Sequence, residues 1–250
     1  MKYHEDLEYV LKEINLTINP REKIGIVGRT GAGKTSLACS LFQLVDKGMC
    51  NGSILIDGHD TLSMNRRDVR ANLGIIPQDP TLFSGSYRQN LDPLVKYSVE
   101  DMWAAIIKCG MDELVQPKYG RNMTKDEKIV ASGEHDNELK EIDRWNKKWN
   151  SSGWAMRAFL YLLLMHNRKI IVLDEATSSV DQESDQDMQR LIRSEFKDCT
   201  VLTIAHRLKT IMDSDRIVVL DNGRVVEVGL PSELIEKGGY FAELVKANEF

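Results

Sequence analysis

Gly28-Arg29-Thr30-Gly31-Ala32-Gly33-Lys34-Thr35 sets glycine, lysine and a hydroxyl in the order G-x-x-x-x-G-K-[ST], a spacing that suits phosphate chemistry. Glycines let the backbone turn its N–H groups inward around phosphates. Lys34 neutralises the β- and γ-phosphates, and the Thr35 hydroxyl can ligate Mg²⁺. The pattern points to ATP or GTP. Gly28, Arg29, Thr30, Gly31, Ala32, Gly33, Lys34, Thr35 and the adjoining Ser36 are therefore the candidate nucleotide-binding residues. A second chemical feature lies downstream, where Ile170-Ile171-Val172-Leu173 runs into Asp174-Glu175. Phosphoryl transfer needs two carboxylates of this kind beside a phosphate loop. Asp174 would hold Mg²⁺ through water and Glu175 would polarise the attacking water. An apolar run ending in acids also marks a strand entering a loop, and the upstream loop is what favours the catalytic reading.

These residues need a scaffold that brings a strand, a loop and a helix together. Lys23-Ile24-Gly25-Ile26-Val27 reads as a short buried strand, and Ser36 to Val45 carries Leu37, Leu41, Leu44 and Val45 at helical spacing. The phosphate loop thus opens a helix whose N-terminal dipole adds positive potential. Val10, Ile14, Leu16 and Ile18 alternate with polar residues as in a half-buried strand. Further strands are expected at Ser53–Ile56, Leu73–Ile76, Ile170–Leu173, Thr200–Ile204, Arg216–Leu220 and Arg224–Val228. Between Asn90 and Arg168 the pattern becomes helical, most plainly over Val99–Cys109 and Trp154–His166. Pro231-Ser232-Glu233 introduces a C-terminal helix through an N-cap and an early acid.

Composition narrows the function classes. With 250 residues, 42% hydrophobic and 28% charged, the chain suits one large domain or two subdomains sharing a nucleotide site. A net charge of −5 and a pI near 5.6 argue against a nucleic-acid partner, which needs a basic face. Cys39, Cys50, Cys109 and Cys199 lie far apart without a C-x-x-C pair, which disfavours a zinc site or disulfide framework and fits a reducing setting. The first residues, Met1-Lys2-Tyr3-His4-Glu5-Asp6, lack the apolar core of a signal peptide. Ala158 to Met165 is far shorter than the roughly 20 residues that span a bilayer.

Three further segments complete an ordered set: Ile76-Pro77-Gln78-Asp79-Pro80, Ser178-Ser179-Val180-Asp181 and Ile204-Ala205-His206-Arg207-Leu208. With them, the chain from Tyr3 to its C-terminus resembles the nucleotide-binding domain of ATP-binding-cassette transporters. The words Gly28 to Gly33, Phe83-Ser84-Gly85 and Asn90-Leu91-Asp92-Pro93 are similar to the second cassette of subfamily C, the multidrug-resistance-associated type. The resemblance implies an α/β fold with a RecA-like P-loop NTPase core, an N-terminal antiparallel β-subdomain and a helical subdomain. One domain over 1–250 would have its core at 1–89 and 168–227, the helical subdomain at about 90–167 and a C-terminal helix at about 232–248.

The implied activity is hydrolysis of MgATP to power a transmembrane transporter. The implied partners are a second cassette and transmembrane domains, with the chain on the cytoplasmic face of a membrane. By the same resemblance Gln78 touches Mg²⁺ and the transmembrane partner, so that Thr35, Gln78 and Asp174 form the metal set. His206 contacts the γ-phosphate and joins Glu175 as a catalytic residue, Asp181 communicates across a dimer, and Tyr3 stacks on adenine. Plainer roles stay open: a histidine after a strand is often structural, Gln-Asp-Pro often a turn, an exposed aspartate solvated, and a near-terminal tyrosine a surface residue. Full members of subfamily C join two membrane domains and two cassettes in one chain, so this chain would be a fragment or an incomplete gene product.

One segment departs from the family. The signature L-S-x-G-Q, expected at a helix start where it caps the γ-phosphate of the other cassette, is replaced by Asn150-Ser151-Ser152-Gly153-Trp154. Ser151 and Gly153 remain as candidate dimer-interface residues, and a helix N-terminus there would still offer N–H donors. Glu138 to Trp149 looks inserted. Functional erosion of a degenerate site and a mistaken exon boundary within 133–165 both fit. Two other functions compete with transport ATPase: an ATP-binding regulatory cassette with little turnover, and a soluble cassette ATPase of translation or DNA repair, which the acidic balance disfavours.

Overall fold

The computed structural model describes residues 1–81, 83, 87–111, 152–175, 182–205 and 207–248. The chain divides into two compact units, one of Met1–Ile75, Arg168–Ser178 and Phe196–Phe250, the other of Ile76–Asn167 and Ser179–Glu195.

The first unit is built on a sheet whose strands are β1 (Lys23–Val27), β4 (Leu73–Ile76), β5 (Ile170–Asp174), β6 (Thr200–Ile204), β7 (Arg216–Asp221) and β8 (Arg224–Gly229). Their order is β4-β5-β6-β1-β7-β8. β5, β6, β1 and β7 run parallel to their neighbours and β8 returns antiparallel to β7. Parallel strands covered on both faces read as unbroken apolar runs, and Ile170–Leu173 and Ile217–Leu220 do so. Alternate residues feed two cores. Ile24, Ile26, Val172, Leu202, Ile204, Val218 and Leu220 pack with Ala38 and Phe42. Val27, Ile217 and Val219 pack on the other side with Ile211, Leu234 and Phe241.

Helix α1 (Lys34–Leu41) follows the phosphate loop. It is shorter than the expected 36–45, because Phe42 caps it and Gln43 turns into left-handed backbone at φ 50°. The expected strand through Val10–Ile18 is also corrected. Its alternation is real as burial, with Ile14, Leu16 and Ile18 packed against the first core, but the segment joins no ladder among the described residues. The antiparallel pair in this part of the chain is a short hairpin of β2 (Leu55–Ile56) and β3 (His59–Asp60). α2 (Arg66–Asn72) starts at an Asn65 cap whose side chain accepts from the Arg67 N–H.

The C-terminal segment forms two helices rather than one, α7 (Pro231–Lys237) and α8 (Tyr240–Asn248). Gly238, left-handed at φ 70°, ends α7. Pro231 sits in the first turn of α7 without a side-chain cap, so Ser232 lies inside the helix. The buried Glu227 carboxylate receives the N–H groups of Tyr240 and Phe241 at 3.0 Å and thereby opens α8.

The second unit is helical among its described residues: α3 (Tyr87–Leu91), α4 (Val99–Lys108), α5 (Ser152–His166) and α6 (Gln182–Glu195). Ser98 caps α4 by accepting from the Asp101 N–H at 3.1 Å while its hydroxyl donates to the Asp101 carboxylate at 2.7 Å. Met102, Ile106, Met156, Leu160 and Met188 are buried within this unit. Cys109 is buried too, and burial pushes its thiol up to about 12. No helix among the described residues is long and apolar enough to cross a membrane.

The base of β1 is tied to β7 by Glu22, 9% exposed, which accepts from both Nε and Nη2 of Arg216 and from the Asn19 N–H. Burial opposes the charge of Glu22. The bonds from Arg216 and Asn19 outweigh it and hold the carboxyl below its ordinary range. Its stabilisation is therefore present above the unfolded value of 4.5 and lost as pH falls through the lower folded value. Glu22→Gln is expected to cost about 1 kcal/mol at neutral pH, a modest figure because Arg216 is partly open to solvent. Urea unfolding of both proteins should show that gap at pH 7 and show it closing at pH values well below the carboxylate range.

Candidate nucleotide site

The loop joining β1 to α1 is shaped by two glycines. Gly28 has φ 156°, and a Cβ there would lie 2.2 Å from the Leu220 carbonyl oxygen. Gly33, left-handed at φ 104°, is the N-cap of α1, and a Cβ on it would press on Leu11 at 2.9 Å. A side chain at either position would push the loop off its support. No side chain caps α1, so its first N–H groups remain directed at the loop. Lys34 Nζ donates to the carbonyls of Gly28 at 2.9 Å and Arg29 at 3.4 Å, which holds the ammonium across the loop.

β5 ends beside this turn. Ile204 pairs with both Ile26 of β1 and Asp174 of β5, so the strand ends that carry the loop and the carboxylates fall at one edge of the sheet. Asp174 is 6% exposed. The Thr35 side chain favours its charged form, while Oδ1 is buried with no partner among the described residues. Burial pushes its pKa up, and the Glu175 charge pushes the same way against the opposing pull of Lys34 and Thr35. A buried carboxylate oxygen without a donor, next to a hydroxyl, is a fitting pair of ligands for a hard cation. Among the described residues no cluster of three histidine, cysteine or carboxylate groups could hold a metal. An ion here would thus take most of its ligands from phosphate and water, as Mg²⁺ does.

Glu175 follows in left-handed backbone at φ 47°, with its N–H donated to the Ile204 carbonyl at 2.9 Å. A non-glycine residue in this region carries local strain, and such strain gathers at functional sites. Tyr3 lies against α1, its hydroxyl sharing a 2.9 Å hydrogen bond with Ser36 Oγ. Gln78 is exposed two residues beyond β4, in the second unit. Gly153 is in the first turn of α5, also in the second unit. Ser151, Asp181 and His206 lie outside the described residues; Ala205, just before His206, donates its N–H to Ile26 at 3.1 Å.

Sequence reasoning missed the buttress behind the loop. The β7–β8 turn at Asn222-Gly223 has φ 45° and 78°, the positive values of an Asn-Gly hairpin turn. The Gly223 N–H donates to the Ala32 carbonyl at 3.0 Å, and its own carbonyl accepts from the Lys12 N–H at 2.7 Å. The signal was present as Asn-Gly between two alternating strands, but nothing local tied that turn to a loop near residue 30.

Comparison with known proteins follows this geometry. A family model described as ABC transporter matches residues 11–178. The chain is 44% identical over 246 residues to ATP-binding cassette sub-family C member 2 of Rattus norvegicus, covering 98% of this chain and 15% of that protein. It is 43% identical over 236 residues to ABC transporter C family member 3 of Dictyostelium discoideum, covering 94% and 15% respectively. The chain therefore spans about 15% of the length of these curated relatives. Among solved structures it is similar to a bacterial Atm1-family ABC exporter with ATP bound. That match has a TM-score of 0.79 at 30% identity and covers 100% of this chain and 41% of that one.

The raised pKa of Asp174 means that the folded chain binds its proton more tightly than the unfolded chain does. Ionisation therefore costs stability once pH rises above the unfolded value of 3.8. Asp174→Asn, which keeps an acceptor for Thr35, is expected to raise the melting temperature of the nucleotide-free chain at neutral pH. The rise should be on the order of 2–4 °C for a chain of this size, and absent below the carboxylate range. Calorimetry at both pH values would check it.

Proposed function

The chain belongs to the ABC transporter family, whose nucleotide-binding domains are ATPases, and we propose that it hydrolyses MgATP to drive a transmembrane transporter. In this reading it works on the cytoplasmic face of a membrane, attached to transmembrane domains and paired with a second cassette. The observation that carries the proposal is the buried Asp174 oxygen without a partner among the described residues, set near Thr35 at the start of the phosphate-loop helix.

The amides of the loop from Gly28 to Gly33 and the first turn of α1 would bind the phosphates, with the Lys34 ammonium balancing their charge. Thr35, Asp174 and Gln78 would hold Mg²⁺, which when bound neutralises charge on the β- and γ-phosphates. Tyr3 would cover one face of adenine. Glu175 would orient a water in line with the γ-phosphorus and take its proton as the oxygen attacks, while the bond to the ADP oxygen breaks. His206 would contact the γ-phosphate. Catalysis of this kind is mainly positioning and electrostatics, since the transfer is largely dissociative. Across the dimer, Ser151 and Gly153 would face the partner's nucleotide and Asp181 would communicate between the two cassettes.

A second reading, a cassette that binds ATP and dimerises with little turnover, is favoured by one feature: Asn150 to Trp154 in place of the signature. Retention of Glu175 and His206 speaks for hydrolysis.

Two experiments separate these readings. Glu175→Gln, assayed with a partner cassette, is expected to bind MgATP near normally and to lose phosphate release by about 10²-fold or more. Lys34→Ala is expected to weaken binding itself. Unchanged phosphate release in Glu175→Gln would remove the assigned role. The altered signature predicts that this cassette alone hydrolyses ATP poorly, because each phosphate loop of a homodimer would face an Asn150–Trp154 segment. Changing Asn150 to Leu and Trp154 to Gln together should raise its turnover, read as phosphate release against protein concentration. Strong concentration-dependent turnover from the unmodified chain would contradict this asymmetry.

A further inference from the structure

Residues 1–22 form neither helix nor strand among themselves, so whatever orients Tyr3 must come from outside the segment. Its hydroxyl meets α1 at Ser36, sharing a 2.9 Å bond with Ser36 Oγ, and Cys39 follows one turn on. Ser36 and Cys39 stand three residues apart, on one face of the helix. The Ser36 side chain is 8% exposed, whereas Tyr3 is 48% exposed. The phenol is thus held at its oxygen end while much of the residue stays open to a ligand. Thr35, one position earlier and about 100° round the helix, reaches Asp174. Consecutive hydroxyls of one helical turn therefore serve two ends of the site.

We propose that Ser36 is a positioning residue for the nucleotide base: its hydroxyl latches Tyr3 to the turn that receives the phosphates, fixing the distance between base platform and phosphate cradle. The inference rests on the reading of Tyr3 as the surface that takes adenine. An aromatic ring already held in its binding orientation loses less freedom when the base arrives. Without the Ser36 hydroxyl, Tyr3 would hang on an irregular segment and be ordered at the expense of affinity. Tyr3→Phe removes the same bond without touching the turn that receives the phosphates.

The test compares MgATP with magnesium tripolyphosphate, which has the phosphates and no base, by titration calorimetry on the full chain. Tyr3→Phe is expected to weaken ATP by about two- to tenfold, the range of one hydrogen bond, and to leave tripolyphosphate affinity unchanged, and Ser36→Ala to weaken ATP more than tripolyphosphate. The double variant should be no weaker than Ser36→Ala alone, since both changes remove the same bond. Equal losses for ATP and tripolyphosphate in Ser36→Ala would overturn the proposal, as would additive losses in the double variant. Tyr3→Ala separates the two layers. If it weakens ATP while Ser36→Ala does not, Tyr3 is the platform and the latch is wrong. If Tyr3→Ala leaves ATP affinity unchanged, the base reading falls and the latch with it.

Discussion

Burying negative charge at the edge of a parallel sheet is costly, and that cost organises the first unit. Asp174, 6% exposed, sits at the end of β5 with one oxygen unpartnered among the described residues and the Glu175 charge beside it. The opposing charge comes from Lys34, held over the loop by the Gly28 and Arg29 carbonyls, and from the dipole of α1. An apolar end to β5 would have been more comfortable for the fold alone. The arrangement suits a site whose charge balance is completed by a bound cation.

The rest of the unit keeps that site from relaxing. Gly28 is pressed against the Leu220 carbonyl and Gly33 against Leu11, so the loop has no room to drift toward the sheet. Gly223 supports it from behind through the Ala32 carbonyl. Parallel pairing of β1, β6 and β5 brings the loop and the carboxylates to the same edge without either segment being close in sequence. Glu175 pays for its place in left-handed backbone, and its bond to Ile204 shows what holds it there.

Much of this was legible in the residues. The phosphate loop and the strand ending in Asp174-Glu175 are local patterns, so spacing alone located them, and the family they resemble is the one to which the chain belongs. Strand positions from Lys23 to Val27 and from Ile170 to Leu173 followed because fully covered parallel strands are uniformly apolar. The alternation from Val10 to Ile18 misled for a physical reason: period-two burial needs only a core on one side, not a neighbouring strand. The end of α1 and the break at Gly238 depend on single left-handed residues, which helical periodicity does not register. Tertiary ties such as Gly223 to Ala32 and Tyr3 to Ser36 join residues 191 and 33 positions apart, beyond any local pattern.

The distribution of change along the chain carries its own argument. The phosphate loop and the Asp174-Glu175 pair lie together at the carboxyl edge of a single sheet, where Lys34 and the two carboxylates balance one another's charge. Of the segment that departs from the family signature, Ser152 to Trp154 form the first turn of α5. A helix N-terminus supplies N–H donors whatever its side chains, and the burial of Ala155, Met156 and Leu160 begins only after that first turn. Side-chain change at a helix start is therefore cheap for the fold, whereas change in a loop pressed against the Leu220 carbonyl is not.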